Sequence, residues 1–525
     1  MGRVLTILEV SQKQAYIFKS NKIKDNIINS EVIAYALSDE YISKVLEGKG
    51  YNSEDNMVYS GGGHTILEFS DFESARNAVS IITENVYKDF DGLQVFAKNV
   101  LYDEKMSVKD NLQNLTAELE RKKSIRKSMF HQGRYGIEKI NINTDDIKEI
   151  SKKSEAKEIV KGRAIGRYEN NKYYPEGYSI VEKFEELGGD KGESNFIAVV
   201  HIDGNGMGKR VENLYNKLGN CTWEEMKKHL KDFSEAIDKD FKQSFKKMNE
   251  RVRNSLENGT LKGKLKLKDK NFPIRRIITA GDDICFVTEG RIGIECSRIF
   301  IEELCEKINS VDNEGYSACA GVAIVHTKYP FYRAYDIAEM LCSNAKRFGA
   351  TISPEDNGSS ISSIDWHIDF GEMKDTLKQL RADYNTADGN RLEMRPYIIN
   401  ASEEIQKQYK YNRYESFYRS IMLINKGESE IGVGKIKEFR NALKSGETAS
   451  GNYIKFNRIS SLIDDVTAKQ KDGADYNYSK LFTGEDTNYS PFIEIKYGNK
   501  EAQKHSTLFD AIELMDTFLP VKEVL

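Results

Sequence analysis

The alternation of apolar and polar residues repeats one order of elements twice along the chain. Residues 3 to 10 alternate with period two and predict a strand, and helical spacings follow through about Leu46. Met57 to Ser60 and Thr65 to Phe69 flank Gly61-Gly62-Gly63 as a predicted hairpin. A helix over Asp71 to Tyr87 and a strand over Leu93 to Leu101 complete the first copy. The second begins with a strand from Phe196 to Asp203. Thr222-Trp223-Glu224-Glu225 has the form of a capping box, and Met226, Leu230, Phe233, Ile237, Phe241, Phe245, Met248, Val252 and Leu256 continue at helical spacing until Asn258-Gly259. Ile274 to Thr279 and Ile284 to Val287 then flank the turn Ala280-Gly281-Asp282-Asp283. A helix around Ile294 to Ile308, a strand from Tyr316 to His326 and a helix from about Phe331 to Phe348 follow.

Two copies of one topology predict an α+β protein with two ferredoxin-like palm domains, each a sheet covered on one face by helices. The boundaries fall at 1–105 for the first palm, 106–192 for a charged, mainly helical connector, 193–365 for the second palm and 366–525 for a helical C-terminal domain. At 525 residues the chain is too long for one compact core. No apolar run approaches the roughly 20 residues that span a bilayer, and the start lacks the apolar core of a signal peptide, so a cytoplasmic protein without membrane association is expected. Six cysteines, widely spaced and mostly in apolar segments, read as reduced buried thiols. A formal charge of −4 excludes a generally basic nucleic-acid coat. Arg121-Lys122-Lys123 and Arg126-Lys127 in the connector read first as a solvated helical face, with an RNA or partner contact as the alternative.

Charge at the second hairpin changes the picture. Two carboxylates at a hairpin tip repel unless a cation lies between them, so Asp282 and Asp283 are candidates for divalent-metal chemistry. Asp203 ends the strand expected to lie beside that hairpin, in Asp203-Gly204-Asn205-Gly206-Met207-Gly208, where glycines leave the backbone open to a triphosphate. Each motif alone is a common loop; in correct order within one palm they point to two-metal phosphoryl transfer. Asp203, Asp282 and Asp283 are the expected catalytic residues, and with Gly204 the expected metal ligands. Asn205, Gly206, Gly208, Gly281 and Lys346 are expected at the nucleotide. His201 should share a sheet face with Asp203, more as a structural histidine than as a base. The first copy lacks the carboxylates: only Glu9 stands near the place of Asp203. Its turn, Ser60-Gly61-Gly62-Gly63-His64, reads as a second, non-catalytic nucleotide site or as a tight hairpin.

On these residues the chain resembles the large polymerase-cyclase subunit of type III CRISPR effector complexes. Glu9-Val10-Ser11 with Gln14 to Lys22, Tyr59 to His64, Asp203 to Gly208, Ala280 to Asp283, Ala320 to Ile324 with Pro330, and Ala338 to Lys346 are similar to that family's motifs over both palms. The resemblance implies a nucleotidyltransferase that joins ATP or another nucleoside triphosphate into a cyclic oligonucleotide messenger for antiviral defence. It implies two Mg²⁺ or Mn²⁺ ions, and guide or target RNA and other effector subunits as partners. The chain departs from the family at Ala280, for the first glycine of G-G-D-D, and at Asn205, for an acidic residue. It also lacks a His-Asp dipeptide and any C-x-x-C pair, so neither a nuclease domain nor a zinc module is expected. The alternatives are a non-catalytic palm scaffold or RNA-binding subunit, a stand-alone defence cyclase, and a GGDEF-like cyclic dinucleotide synthase.

Overall fold

The computed structural model describes residues 2–20, 22–125, 154–169, 173–187, 195–217, 221–265, 267–371, 374–425, 432–457 and 491–522. In the first palm, strands β1 (Val4–Ser11), β2 (Met57–Gly61), β3 (His64–Phe69) and β4 (Gln94–Leu101) form an antiparallel sheet in the order β2-β3-β1-β4. In the second, β5 (Phe196–Gly204), β6 (Ile274–Ala280), β7 (Asp283–Glu289) and β8 (Ala318–His326) repeat it as β6-β7-β5-β8. Two palms with one strand order are therefore present, as the repeated pattern predicts.

The second sheet does not stop at residue 365. β9 (Ser362–Asp369) pairs in parallel with β8, and β10 (Tyr397–Asn400) closes that edge antiparallel to β9. The stretch expected to be a helical C-terminal domain thus donates strands to the palm. It carries a further hairpin, β11 (Phe492–Ile495) and β12 (Gln503–Ser506), among helices such as Tyr414–Asn425 and Val433–Lys444. The reason is visible at Trp366, which is fully buried and stacks on Tyr397 at 5.3 Å with Phe417 at 4.7 Å. Such a ring cluster needs both the sheet and the C-terminal helices as walls. Arg395 fixes the same junction by donating to Glu513 at 2.7 Å.

β5 is central, and its two faces go to different partners because successive side chains alternate. Ala198, Val200 and Ile202 pack with Phe241, Phe245 and Phe300 of the helices Trp223–Asn258 and Gly293–Cys305. Ile197 and Val199 pack with Ala334, Tyr335 and Leu341 of the helix Phe331–Ile352, in a core shared with Leu8, Val10 and Ile33 of the first palm. Each palm therefore completes the other's core.

The long helix runs from Trp223 to Asn258 with the capping box at Thr222 and Glu225 formed, and it buries the predicted stripe from Met226 to Val252. Its end has a tertiary cause. Gly259 is not left-handed; a β-carbon there would lie 2.1 Å from the Lys522 carbonyl, which accepts from the Thr260 amide. In the connector, Arg121 and Lys122 of the helix Val108–Ile125 are exposed and Lys123 half-buried, as a solvated helical face requires; Lys122 donates to the Ala97 carbonyl, Lys123 to Glu9 and Glu120, and Arg121 to Glu118. Arg126 and Lys127 lie outside the described residues. Of the cysteines, Cys285, Cys296, Cys319 and Cys342 are buried and Cys221 and Cys305 half-buried, all as free thiols. No helix among the described residues is long and apolar enough to cross a membrane.

Candidate functional site

Sheet register brings the candidate carboxylates together. Asp203 is the Cα partner of Asp283 across β5 and β7, and Ala280 pairs with Asp283, which leaves Gly281 and Asp282 as a two-residue loop. Gly281 has φ +61°, the left-handed conformation that suits glycine at the first position of such a loop. The Gly204 amide donates to the Asp282 carbonyl at 3.2 Å and ties the hairpin tip to the end of β5. A β-carbon on Gly204 would lie 2.9 Å from Met207 Cε and 3.1 Å from Asp282 Cβ, so glycine permits the close approach.

The three carboxylates repel as expected. Burial, then Asp203, pushes the Asp282 carboxyl up to about 6. Burial, followed by Asp203, Asp282 and Glu339, raises Asp283 well above its usual range. Asp283 Oδ1 is buried without a hydrogen-bond partner, the situation of an oxygen shaped for a cation. A donor set of oxygens alone would suit Mg²⁺ or Mn²⁺. Among the described residues no three His, Cys, Asp or Glu side chains enclose an ion by themselves.

Lys346 lies on the helix Phe331–Ile352 and donates to Asp203 Oδ2 at 2.6 Å and to the Gly204 carbonyl at 3.0 Å. Burial works against its charge, but Asp203 holds its pKa above the ordinary lysine value. The helix comes this close because Gly321 on β8 has no side chain: a β-carbon there would lie 1.9 Å from the Ala338 carbonyl and 2.4 Å from the Cys342 amide. Lys346 is one turn beyond Cys342 on that helix.

His201 does share the sheet face of Asp203. Its Nδ1 lies 3.4 Å from Asp283 Oδ1 and 3.4 Å from the Tyr335 hydroxyl, and burial depresses its pKa to about 4, so it is neutral at pH 7 and forms no ion pair. Asn205 does not join the carboxylates. Its side chain is buried and donates to the Ile361 carbonyl at 2.7 Å, while its amide donates to Ser317, fastening the end of β5 to the approach to β9. Gly206 is left-handed at φ +65°, and Gly208 stands open in the first turn of the helix Met207–Lys217.

The glycine turn of the first palm is mostly committed to its own fold. Ser60 donates its hydroxyl to the Leu37 carbonyl, and the Gly63 carbonyl accepts from the Val10 amide. Gly63, at φ +75°, would place a β-carbon 2.8 Å from Ile33. Tyr59 OH lies 3.4 Å from Ser234 Oγ on the long helix of the second palm, and a β-carbon on Gly61 would meet that hydroxyl at 2.7 Å. Only Gly62, at φ +57°, has open space around it.

Sequence reading missed Lys13, Tyr335 and Glu339. The last two carry a signal: 335, 339 and 346 recur at intervals of four and seven, which keeps them on one helix face with Lys346. Lys13 carried none, because its place depends on how the palms meet.

Residues 196–351 match the family model for the second palm domain of Cas10/Cmr2. No curated protein matches the chain. Among solved structures, Csm1 of T. onnurineus matches with a TM-score of 0.51 at 13% identity, over 90% of this chain and 65% of that one. A Csm1-Csm4 cassette in complex with cA4 matches with a TM-score of 0.50 at 13% identity, over 92% of this chain and 66% of that one. The chain spans as little as 54% of the solved chains it matches. At this identity the likeness concerns the fold, and with the family model it supports one statement. Residues 196–351 are similar to the second palm domain of Cas10/Cmr2, and the chain shares its fold with Csm1.

Proposed function

We propose that the protein is a divalent-metal-dependent nucleotidyltransferase that joins ATP into a cyclic oligonucleotide, as part of a type III CRISPR-like defence. The observation that carries this reading is the register-fixed meeting of Asp203, Asp282 and Asp283, with one buried oxygen unsatisfied. The family of the second palm and the fold shared with a cassette described with cA4 agree with it.

Asp203, Asp282 and Asp283 would hold Mg²⁺ or Mn²⁺, with the Gly204 carbonyl nearby. When bound, such ions lower the pKa of an attacking hydroxyl and offset charge at the phosphorus. In the reaction a ribose 3'-hydroxyl oxygen forms a bond to the α-phosphorus of a second nucleotide. The bond from that phosphorus to the bridging oxygen breaks, pyrophosphate leaves with the electron pair, and the hydroxyl proton passes to solvent. Lys346 orients Asp203 and the end of β5 by donating to the Asp203 carboxylate and the Gly204 carbonyl. Gly206, left-handed beside Ser359, and Gly208, open in the first turn of a helix, offer amides to phosphate oxygens. Gly281 permits the loop, and Asn205 holds the strand end rather than the nucleotide. Gly62 is the open part of the first palm's turn, with Ser60, Gly61 and Gly63 shaping it for a second nucleotide. Effector subunits and RNA are the proposed partners.

Incubation with each of the four nucleoside triphosphates and Mg²⁺ or Mn²⁺, with and without RNA, tests the reading. Pyrophosphate release that is lost in Asp203→Ala and Asp282→Ala, both still folded, supports it. Undiminished release in both variants, or no release under any of these conditions, overturns it. Mass spectrometry of the product separates a larger ring from a cyclic dinucleotide.

A further inference from the structure

The first palm supplies more than half of a shared core. Its short helix Lys13–Ile17 lies against the second palm: Phe18 at its end packs on Tyr335 with ring centroids 4.0 Å apart and on Phe331 at 5.4 Å. The Tyr335 hydroxyl stands 3.4 Å from His201, which in turn stands 3.4 Å from Asp283. Lys13 begins that same short helix, and the charges of Asp282 and Asp283 act on its ammonium. Its stem passes over the glycine turn, with Lys13 Cε 3.4 Å from where a β-carbon on Gly63 would lie.

The two lysines near this site differ in commitment. Lys346 already donates to Asp203 and to the Gly204 carbonyl. Among the described residues, no hydrogen bond or ion pair holds the Lys13 ammonium. The charges facing it are Glu9 of β1, Lys123 of the helix Val108–Ile125, and Asp282 and Asp283 of the second palm. Glu9 is itself bound to Lys123 at 2.7 Å. A half-buried ammonium beside carboxylates, with no acceptor of its own, is suited to a polyanion that arrives with the substrate.

We infer that Lys13, a residue of the non-catalytic palm, binds the β- and γ-phosphates of the nucleotide at the second palm's carboxylates, and so the pyrophosphate that leaves. The inference rests on the nucleotidyl-transfer reading and gives the first palm a direct part in it. Lysine suits the task because its three donors rotate and follow the leaving group, whereas a fixed fork would favour one pose.

The test compares full-length Lys13→Met, Lys13→Arg and Asp282→Ala with the parent. Calorimetry measures binding of magnesium pyrophosphate, and steady-state rates give KM and kcat for ATP. Loss of one charge-assisted contact to phosphate is expected to weaken pyrophosphate binding about 10- to 100-fold in Lys13→Met. KM for ATP should rise in parallel, with recovery to within about tenfold of the parent in Lys13→Arg. A purely structural counter-charge would instead shift the melting temperature and leave pyrophosphate affinity unchanged. Parent-like pyrophosphate binding by folded Lys13→Met overturns the inference, and if Asp282→Ala is inactive at the same time, the nucleotidyl-transfer reading survives. Because binding is read without turnover, a parent that releases no pyrophosphate defeats that reading separately.

Discussion

The two palms share a strand order and a hairpin register, yet they handle charge at the hairpin in opposite ways. In the first, Glu9 faces His64 and Gly61 pairs with His64; in the second, Asp203 faces Asp283 and Ala280 pairs with Asp283. Glu9 is neutralised by Lys123 at 2.7 Å, and burial pushes His64 down to about 4, which leaves it uncharged at pH 7. Gly63 stands where Asp282 stands. The first palm's hairpin charge is thus answered within the fold, whereas the second sets Asp203 opposite Asp283, with Asp282 in the adjoining loop and Asp283 Oδ1 buried without a hydrogen-bond partner. The two palms thus share a frame and differ at three positions, whose side chains set the charge at the hairpin.

The largest effect expected is the loss of that chemistry. Asp203→Ala or Asp282→Ala should lower nucleotide turnover by about a thousandfold or more, since electrostatic stabilisation of the reacting phosphate is the main contribution such a site makes. Pyrophosphate release measures it, with circular dichroism to show that the fold remains. Next is the frame. Gly321→Val must displace the helix Phe331–Ile352 from β8 and should cost about 3 kcal/mol or more, seen as a lower urea midpoint. It should also reduce turnover in whatever fraction stays folded, because Lys346 is carried by that helix.

Writing the second palm's charge into the first tests the comparison directly. Gly63→Asp should destabilise the protein by about 1–3 kcal/mol, because φ is +75° and the β-carbon would meet Ile33 at 2.8 Å. The paired change with His64→Asp should still confer no second active site, since Lys123 holds Glu9. A double variant that turns over nucleotide when Asp282 is removed would break the comparison.

The smaller effects concern stability. Asp282→Asn should raise the melting temperature of the metal-free protein at pH 8, by about 1 kcal/mol of relieved repulsion, and addition of Mg²⁺ should narrow the difference. His64 gives the first palm its own pH dependence. Its folded pKa lies below the ordinary value, so its contribution is present above pH 6.5 and is lost as pH falls through the window towards 4. For a partly exposed ring this amounts to about 1–2 kcal/mol, and His64→Gln should flatten the urea-midpoint profile between pH 6.5 and 4.

Much of the frame was legible because it depends on local pattern. The stripe from Met226 to Val252 and the capping box at Thr222 predict their helix correctly, and the strands of both palms appear as period-two or continuous apolar runs. The C-terminal region was harder to read. β10 is only four residues long, and Trp366 and Tyr397 reveal nothing of their stacking until the sheet brings them together. Asn205 illustrates the same limit within a motif. Its position between two glycines suggests a ligand contact, but its side chain turns to the Ile361 carbonyl, a partner 156 residues away.

The sequence by itself determined the repeated palm order and the identity of the three carboxylates, because periodicity and turn chemistry act between near neighbours. It also marked the first copy as lacking them. Only the tertiary structure decided that Lys346 is bound to Asp203, that Gly321 lets its helix descend to the sheet, and that Lys13 of one palm faces the carboxylates of the other. Those facts depend on packing between elements far apart in the chain, where shape and burial choose the partners and local pattern has no reach.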